Sequence, residues 1–211
     1  ILTGMQPFRH GARNNGTHFV PEEALTMAEV LADEGFATGA VISSFVLDSR
    51  FGLDQGFDLY DDDLTNAEQA PMFMFRETKA DDTSRRAREF IQARSNERWF
   101  LWVHYFDPHH PYEPPGHDPK VLPLVLNAAK LRWDLHSQGL DSSHVAQLRN
   151  LYQAEVRTMD AAIGRLLAGL EAQGRLEDAL IVVAGDHGEG FGELPERPFL
   201  HGSDVDPFAT R

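Results

Sequence analysis

The chain has 211 residues, 42% apolar and 25% charged, which is a globular composition with enough length for a substantial core. A formal charge of −14 argues against a surface for nucleic acid, which needs clustered Lys and Arg, but leaves open a small anionic substrate in one locally cationic or metal-bearing pocket. There is no cysteine, hence no disulfide or zinc–thiolate site, and no apolar run reaches the roughly 20 residues of a membrane span.

In chain order, the opening "ILTGMQPFRHGARNNG" carries Arg9, His10, Arg13 and a turn-forming Asn14–Asn15–Gly16, readable as an anion-lining segment or an ordinary polar turn. The first predicted helix runs from Pro21 to Glu34, with apolar residues at 24, 25, 27, 28, 30 and 31 and Gly35 as a stop. "TGAVISSFV" (38–46) follows as a buried strand. The Gly- and Asp-rich 51–64 reads as a long loop, its "LYDDDL" as a solvated acidic stretch rather than a metal site. "PMFMF" (71–75) reads as packing. A charged helix from Thr83 to Asn96 leads into the strand "RWFLWVHYF" (98–106), and the proline-rich 111–123 is a second long loop. The clearest element is a helix from Ser142 to Gln173, where Val145, Leu148, Leu151, Tyr152, Val156, Met159, Ile163, Leu166, Leu167 and Leu170 form one stripe that Gly174 ends. "DALIVVAGD" (178–186) is expected as the last strand.

Apolar strands alternating with amphipathic helices predict an α/β fold, a mainly parallel sheet covered by helices on both faces. Ligands of such sheets lie beyond the carboxyl ends of the strands, and that is where the polar residues fall. Ser43 and Ser44 follow the first strand, His104 and "DPHHPYEPP" the second, Asp186 and His187 the third. In "GDHGE", a carboxylate and an imidazole beside two glycines supply donors for a divalent cation, or else make a capped turn with Asp186 as N-cap. Around Asp107, the residues His104, His109 and His110 suit a metal ligand, a general acid or an anion donor, or they decorate a stiff proline-rich loop. His201, fourteen residues past His187 in "FLHGSD", is close enough in sequence to return to the same strand ends, or is a solvated histidine.

Taken in order, "LTGMQPFRHGARNNG", "TMAEVLADEGFATGAV", "RFGLDQGFDLYDDD", "WVHYFDPHHPYEPP", the long stretch ending "LIVVAGDHGEGFGE", and "FLHG" resemble the sulfatases of the alkaline-phosphatase superfamily over nearly the whole chain. The resemblance implies a divalent metal, most often Ca²⁺ (with Mg²⁺, Mn²⁺ or Zn²⁺ as alternatives), held in part by Asp186 and His187. Two further Asp residues and a formylglycine nucleophile would precede Ile1. It gives His109, in the family's "DPH-x-PY" pattern, the roles of sulfate contact and leaving-group acid. His201 matches the closing Lys or His that binds sulfate oxygens. Glu189 drops out of the ligand set and becomes an orienting or loop residue.

The chain departs from the family where many sulfatases carry "GKWHLG". Here "AVISSFVLDS" puts Ser43 and Phe45 at those positions, with His104 or Ser43 as compensating sulfate contacts. The expected reading is a single sulfatase-like catalytic domain over 1–211, truncated at both ends, that hydrolyses nothing alone. The full-length enzyme, expected in the periplasm or outside the cell, would cleave a small-molecule or glycan sulfate ester. The alternatives are a phosphate or phosphonate ester hydrolase, a phosphoglycerol-type transferase of the same superfamily, and a non-catalytic relative that binds sulfated glycan.

Overall fold

The computed structural model describes residues 1–14, 17–64, 77–109, 112–116 and 142–191. Its contacts divide the chain into two units, one of Ile1–Asp107 with Ala161–Leu170 and one of Pro108–Asp160 with Glu171–Arg211.

The first unit is built on a parallel three-stranded sheet of order β2–β1–β3, with β1 at Ala37–Val41, β2 at Leu59–Asp61 and β3 at Trp99–Val103. Bonded on both edges, β1 is buried along its whole length, as its short apolar run leads one to expect. Preceding it are a single turn of helix, α1 (Pro7–His10), and α2 (Met27–Asp33). Thr26 starts α2 through a capping box: its hydroxyl accepts the Glu29 N–H, and the Glu29 carboxylate accepts the Thr26 N–H at 2.8 Å. The helix is thus shorter than the predicted 21–34, because Pro21–Ala24 closes as a turn ahead of the cap.

α3 (Ala80–Ala93) packs a face including Ala87, Phe90 and Ile91 against the sheet. That approach depends on Gly39 in the middle of β1, where an added Cβ would sit 2.3 Å from the Phe90 ring. A second close approach occurs at Gly56, whose φ of +82° and lack of a side chain bring the 52–58 loop against the backbone of α2 at Glu29. From that loop Asp58 and Gly56 accept the Thr38 N–H at 2.8 Å and its hydroxyl proton at 2.7 Å, tying it to β1.

Two sequence expectations change. Residues 51–64 are not only loop: Leu59–Asp61 is the parallel strand β2, too short and too acidic to stand out by pattern. Its acidic run is anchored rather than merely solvated. The buried Arg86 guanidinium bonds Asp61 at 2.9 Å, Asp82 at 3.0 Å and the Asp63 carbonyl at 2.7 Å, while Asp62 accepts the Ser49 N–H. Conversely, 178–186 forms no strand, and Leu180 is 91% and Val183 80% exposed. Apolar content predicts burial but does not name a ladder neighbour.

The helix α4 (Ser142–Glu171) runs through both units, with Ala162, Leu166 and Leu170 buried in the first. In the second unit Tyr112, Leu148 and Phe191 form a small core, with Val145, Leu151 and Tyr152 packed against it. "PMFMF" and most of 111–123 lie outside the described residues.

Gly39→Ala should lower stability by about 1–3 kcal/mol through overpacking against Phe90. Pairing it with Phe90→Leu should recover part of the loss in thermal denaturation, and no recovery would place the strain elsewhere.

Candidate active site

In the first unit the candidate groups gather where β1 and β3 end. Beyond Val41 the chain stays extended through Ser43, and beyond Val103 it reaches His104, whose N–H donates to the Val41 carbonyl. The fully buried Ser43 hydroxyl donates to the His104 carbonyl at 2.7 Å and accepts the Phe106 N–H at 2.7 Å. It also stands 3.3 Å from His104 Nδ1. The ring of His104 lies between those of Trp102 and Phe106, with centroids 6.2 and 6.3 Å away. Ser43 is therefore committed to the protein's own backbone and to His104. The neighbouring Ser44 is buried too, and its Oγ has no hydrogen-bond partner among the described residues.

Three residues on, Asp107 is buried at the start of α3 and accepts the Ala80 N–H. Lys79, at the N-cap position, makes no side-chain cap bond, so a carboxylate from the β3 exit caps this helix instead. Burial pushes the Asp107 pKa up, against the attraction of Lys79 and the Ala80 hydrogen bond. This capping role is invisible in sequence, because the two partners are 27 positions apart.

The second unit holds His109, half-buried, and the Asp186–His187 turn. Asp186 Oδ1 accepts the His187 N–H at 3.0 Å, while His187 Nδ1 stands 3.1 Å from the Gly188 carbonyl. A carbonyl only accepts, so Nδ1 donates to it, and Nε2 is the ring nitrogen that faces Asp186. That nitrogen stands 3.5 Å from Asp186 Oδ2. One carboxylate oxygen and one imidazole nitrogen at that spacing fit neighbouring positions around a single divalent ion, whose ligand bonds run about 2.0–2.6 Å. Among the described residues there is no group of three or more His, Asp or Glu able to complete such a site.

Glu189 faces the hydroxyl of Tyr112. Burial, then the negative charge of Glu189, lifts the Tyr112 pKa well above the usual phenol range. Tyr112, Tyr152 and Phe191 make a triangle of rings with centroids 5.3–6.2 Å apart, and the Glu113 N–H donates to buried Glu155 at 2.6 Å. The turn after Asp186–His187 and the segment after His109 are thereby fastened to the same stretch of α4. His110, His201 and Gly202 lie outside the described residues, as do Asn15 and Gly16; Arg9 and Arg13 are exposed.

The parallel sheet with its helices superposes on folds of the alkaline-phosphatase superfamily. Within it, residues 1–206 match the sulfatase family, and the chain belongs to that family. Over 137 residues it is 24% identical to the multifunctional alkaline phosphatase superfamily protein PehA of Trinickia caryophylli, covering 51% of this chain and 27% of that protein. The phosphonate monoester hydrolase of Silicibacter pomeroyi superposes with a TM-score of 0.60 at 19% identity, over 90% of this chain and 52% of that one. A protein solved with its substrate D-glucosamine-2-N,6-O-disulfate gives 0.59 at 18% identity, over 83% and 52%. The chain thus spans about a quarter of that curated relative and about half of these solved chains. Among the described residues no helix is long and apolar enough to cross a membrane.

The unfolded Asp107 titrates near 3.8 and the folded one above it, so the native state binds more protons between those values. The stability this group contributes is therefore present at acid pH and lost as pH rises through its folded pKa. Asp107→Asn keeps an acceptor for Ala80 without the charge. Its melting temperature relative to the wild type should rise from about pH 4 to about pH 7. A melting temperature that instead falls relative to the wild type over that range would show that the buried charge is not penalised.

Proposed function

We propose that the chain is a fragment of the catalytic domain of a metal-dependent sulfuric ester hydrolase, its two units belonging to one such domain. The reaction converts a sulfate ester and water into an alcohol and sulfate. The observation that carries the reading is the Asp186–His187 turn, in which a carboxylate oxygen and an imidazole nitrogen lie 3.5 Å apart at the end of an apolar segment. The family match over 1–206 supports sulfate as the group transferred.

In this reading Asp186 and His187 hold a divalent cation, Ca²⁺ by preference. When bound it supplies positive charge against the transferring group. His109 contacts the sulfate and protonates the departing oxygen, a step that needs a positioned acid because an alkoxide is a poor leaving group. His201 and His104 bind sulfate oxygens. In this reading the nucleophile is a formylglycine, and further carboxylates complete the metal's ligands. The substrate is a small-molecule or glycan sulfate, by likeness to the relative solved with a glucosamine disulfate.

A second reading, hydrolysis of a phosphonate or phosphate monoester, is favoured by the likeness to the phosphonate monoester hydrolase and to PehA. The transferred group has a similar tetrahedral oxygen shell, and the same metal and histidine contacts would serve it.

The intact protein assayed on sulfate, phosphate and phosphonate monoesters separates the two readings by which ester has the highest kcat/KM. Asp186→Ala and His187→Ala should each reduce turnover by on the order of 100-fold or more and lower bound metal measured by elemental analysis. His109→Ala should lower kcat most for esters with poor leaving groups. Unchanged turnover and metal content in the Asp186 and His187 variants would remove the metal assignment.

A further inference from the structure

The Ser43 hydroxyl has one proton to give and two lone pairs with which to accept. It stands 2.7 Å from the His104 carbonyl oxygen, which can only accept, so the proton goes there. One lone pair takes the Phe106 N–H at 2.7 Å. What remains toward His104 Nδ1, 3.3 Å away, is the other lone pair, and Nδ1 must meet it with a hydrogen. Turning the hydroxyl proton onto Nδ1 instead would press two bare oxygens together at 2.7 Å inside a fully buried site, forfeiting a hydrogen bond where none is replaced by water.

We propose that Ser43 is a positioning residue that fixes His104 as its Nδ1–H tautomer and leaves Nε2 of the neutral ring as an acceptor. The same hydroxyl holds the His104 carbonyl and the Phe106 N–H, so it fixes both the ring and the strand exit that carries it. Its capacity is spent on these partners, and Ser43 neither contacts the ester nor attacks it. In this tautomer Nε2 of the neutral ring is an acceptor, and it donates to an anionic oxygen only as the imidazolium. The tautomer stands on the local geometry alone; its weight in turnover rests on the reading above in which His104 binds the ester's oxygens.

The test is ring ¹⁵N NMR of the intact protein labelled with ¹⁵N-histidine, with His104 assigned by loss of its signals in His104→Gln. Above the ring's titration, wild-type His104 should show a protonated-type Nδ1 and an unprotonated-type Nε2. Ser43→Ala should give a tautomer mixture, and Ser43→Thr, which keeps the hydroxyl, should restore the wild-type pattern. A wild-type ring protonated at Nε2 overturns the proposal even if Ser43→Ala fails to fold, and so does an unchanged tautomer in a folded Ser43→Ala. In turnover on whichever ester the protein cleaves, Ser43→Ala should lose roughly 10-fold in kcat/KM, with Ser43→Thr close to wild type. A shifted tautomer with unchanged kcat/KM would uphold Ser43 as the fixing group and remove His104 from the ester-binding set.

Discussion

Everything in the first unit hangs on β1 being bonded along both edges. A parallel strand so placed has no free backbone donors or acceptors, is buried on both faces, and cannot slip without breaking two ladders at once. Its last residues therefore have a fixed address. From there Ser43 reaches across to His104, and the Ser43 carbonyl takes the Thr78 N–H ahead of α3. Gly39 is the steric condition for this arrangement, because it lets Phe90 close the helix onto the strand.

The polar groups around these strand ends work on one another before they work on any ligand. Asp107 caps a helix to which it does not belong, and Ser43 serves a histidine and two backbone groups. Arg86 does the same for the acidic end of β2, where a buried guanidinium is tolerable because two carboxylates and a carbonyl surround it. Such bonds fix side-chain direction and tautomer, and electrostatic chemistry on an anionic ester depends on both.

Legibility in the sequence followed the length scale of the signal. The stripe from Val145 to Leu170 spans many helical turns, and α4 appears within two residues of its expected ends. β1 and β3 were readable from β-branched and aromatic runs, although each is shorter than its apolar stretch. β2 was not readable, since three residues, one of them an aspartate, carry no period. For the candidate site, residue types beyond the expected strand ends singled out His104, His109, Asp186 and His187, the last two after a segment that forms no strand. Nothing in the sequence could distinguish Ser43 as a ligand contact from Ser43 as the support of a histidine, because that depends on three distances across 61 to 63 positions of chain.

The uncovered run from Leu180 to Val183 has a consequence for handling the protein. It is apolar, uncharged and free of proline, and outside any strand it is a template on which another extended chain can lay down hydrogen bonds. Left uncovered, this run would seed self-association. The protein's solubility would fall with concentration and be rescued by a charge placed at Val182, a position 77% exposed.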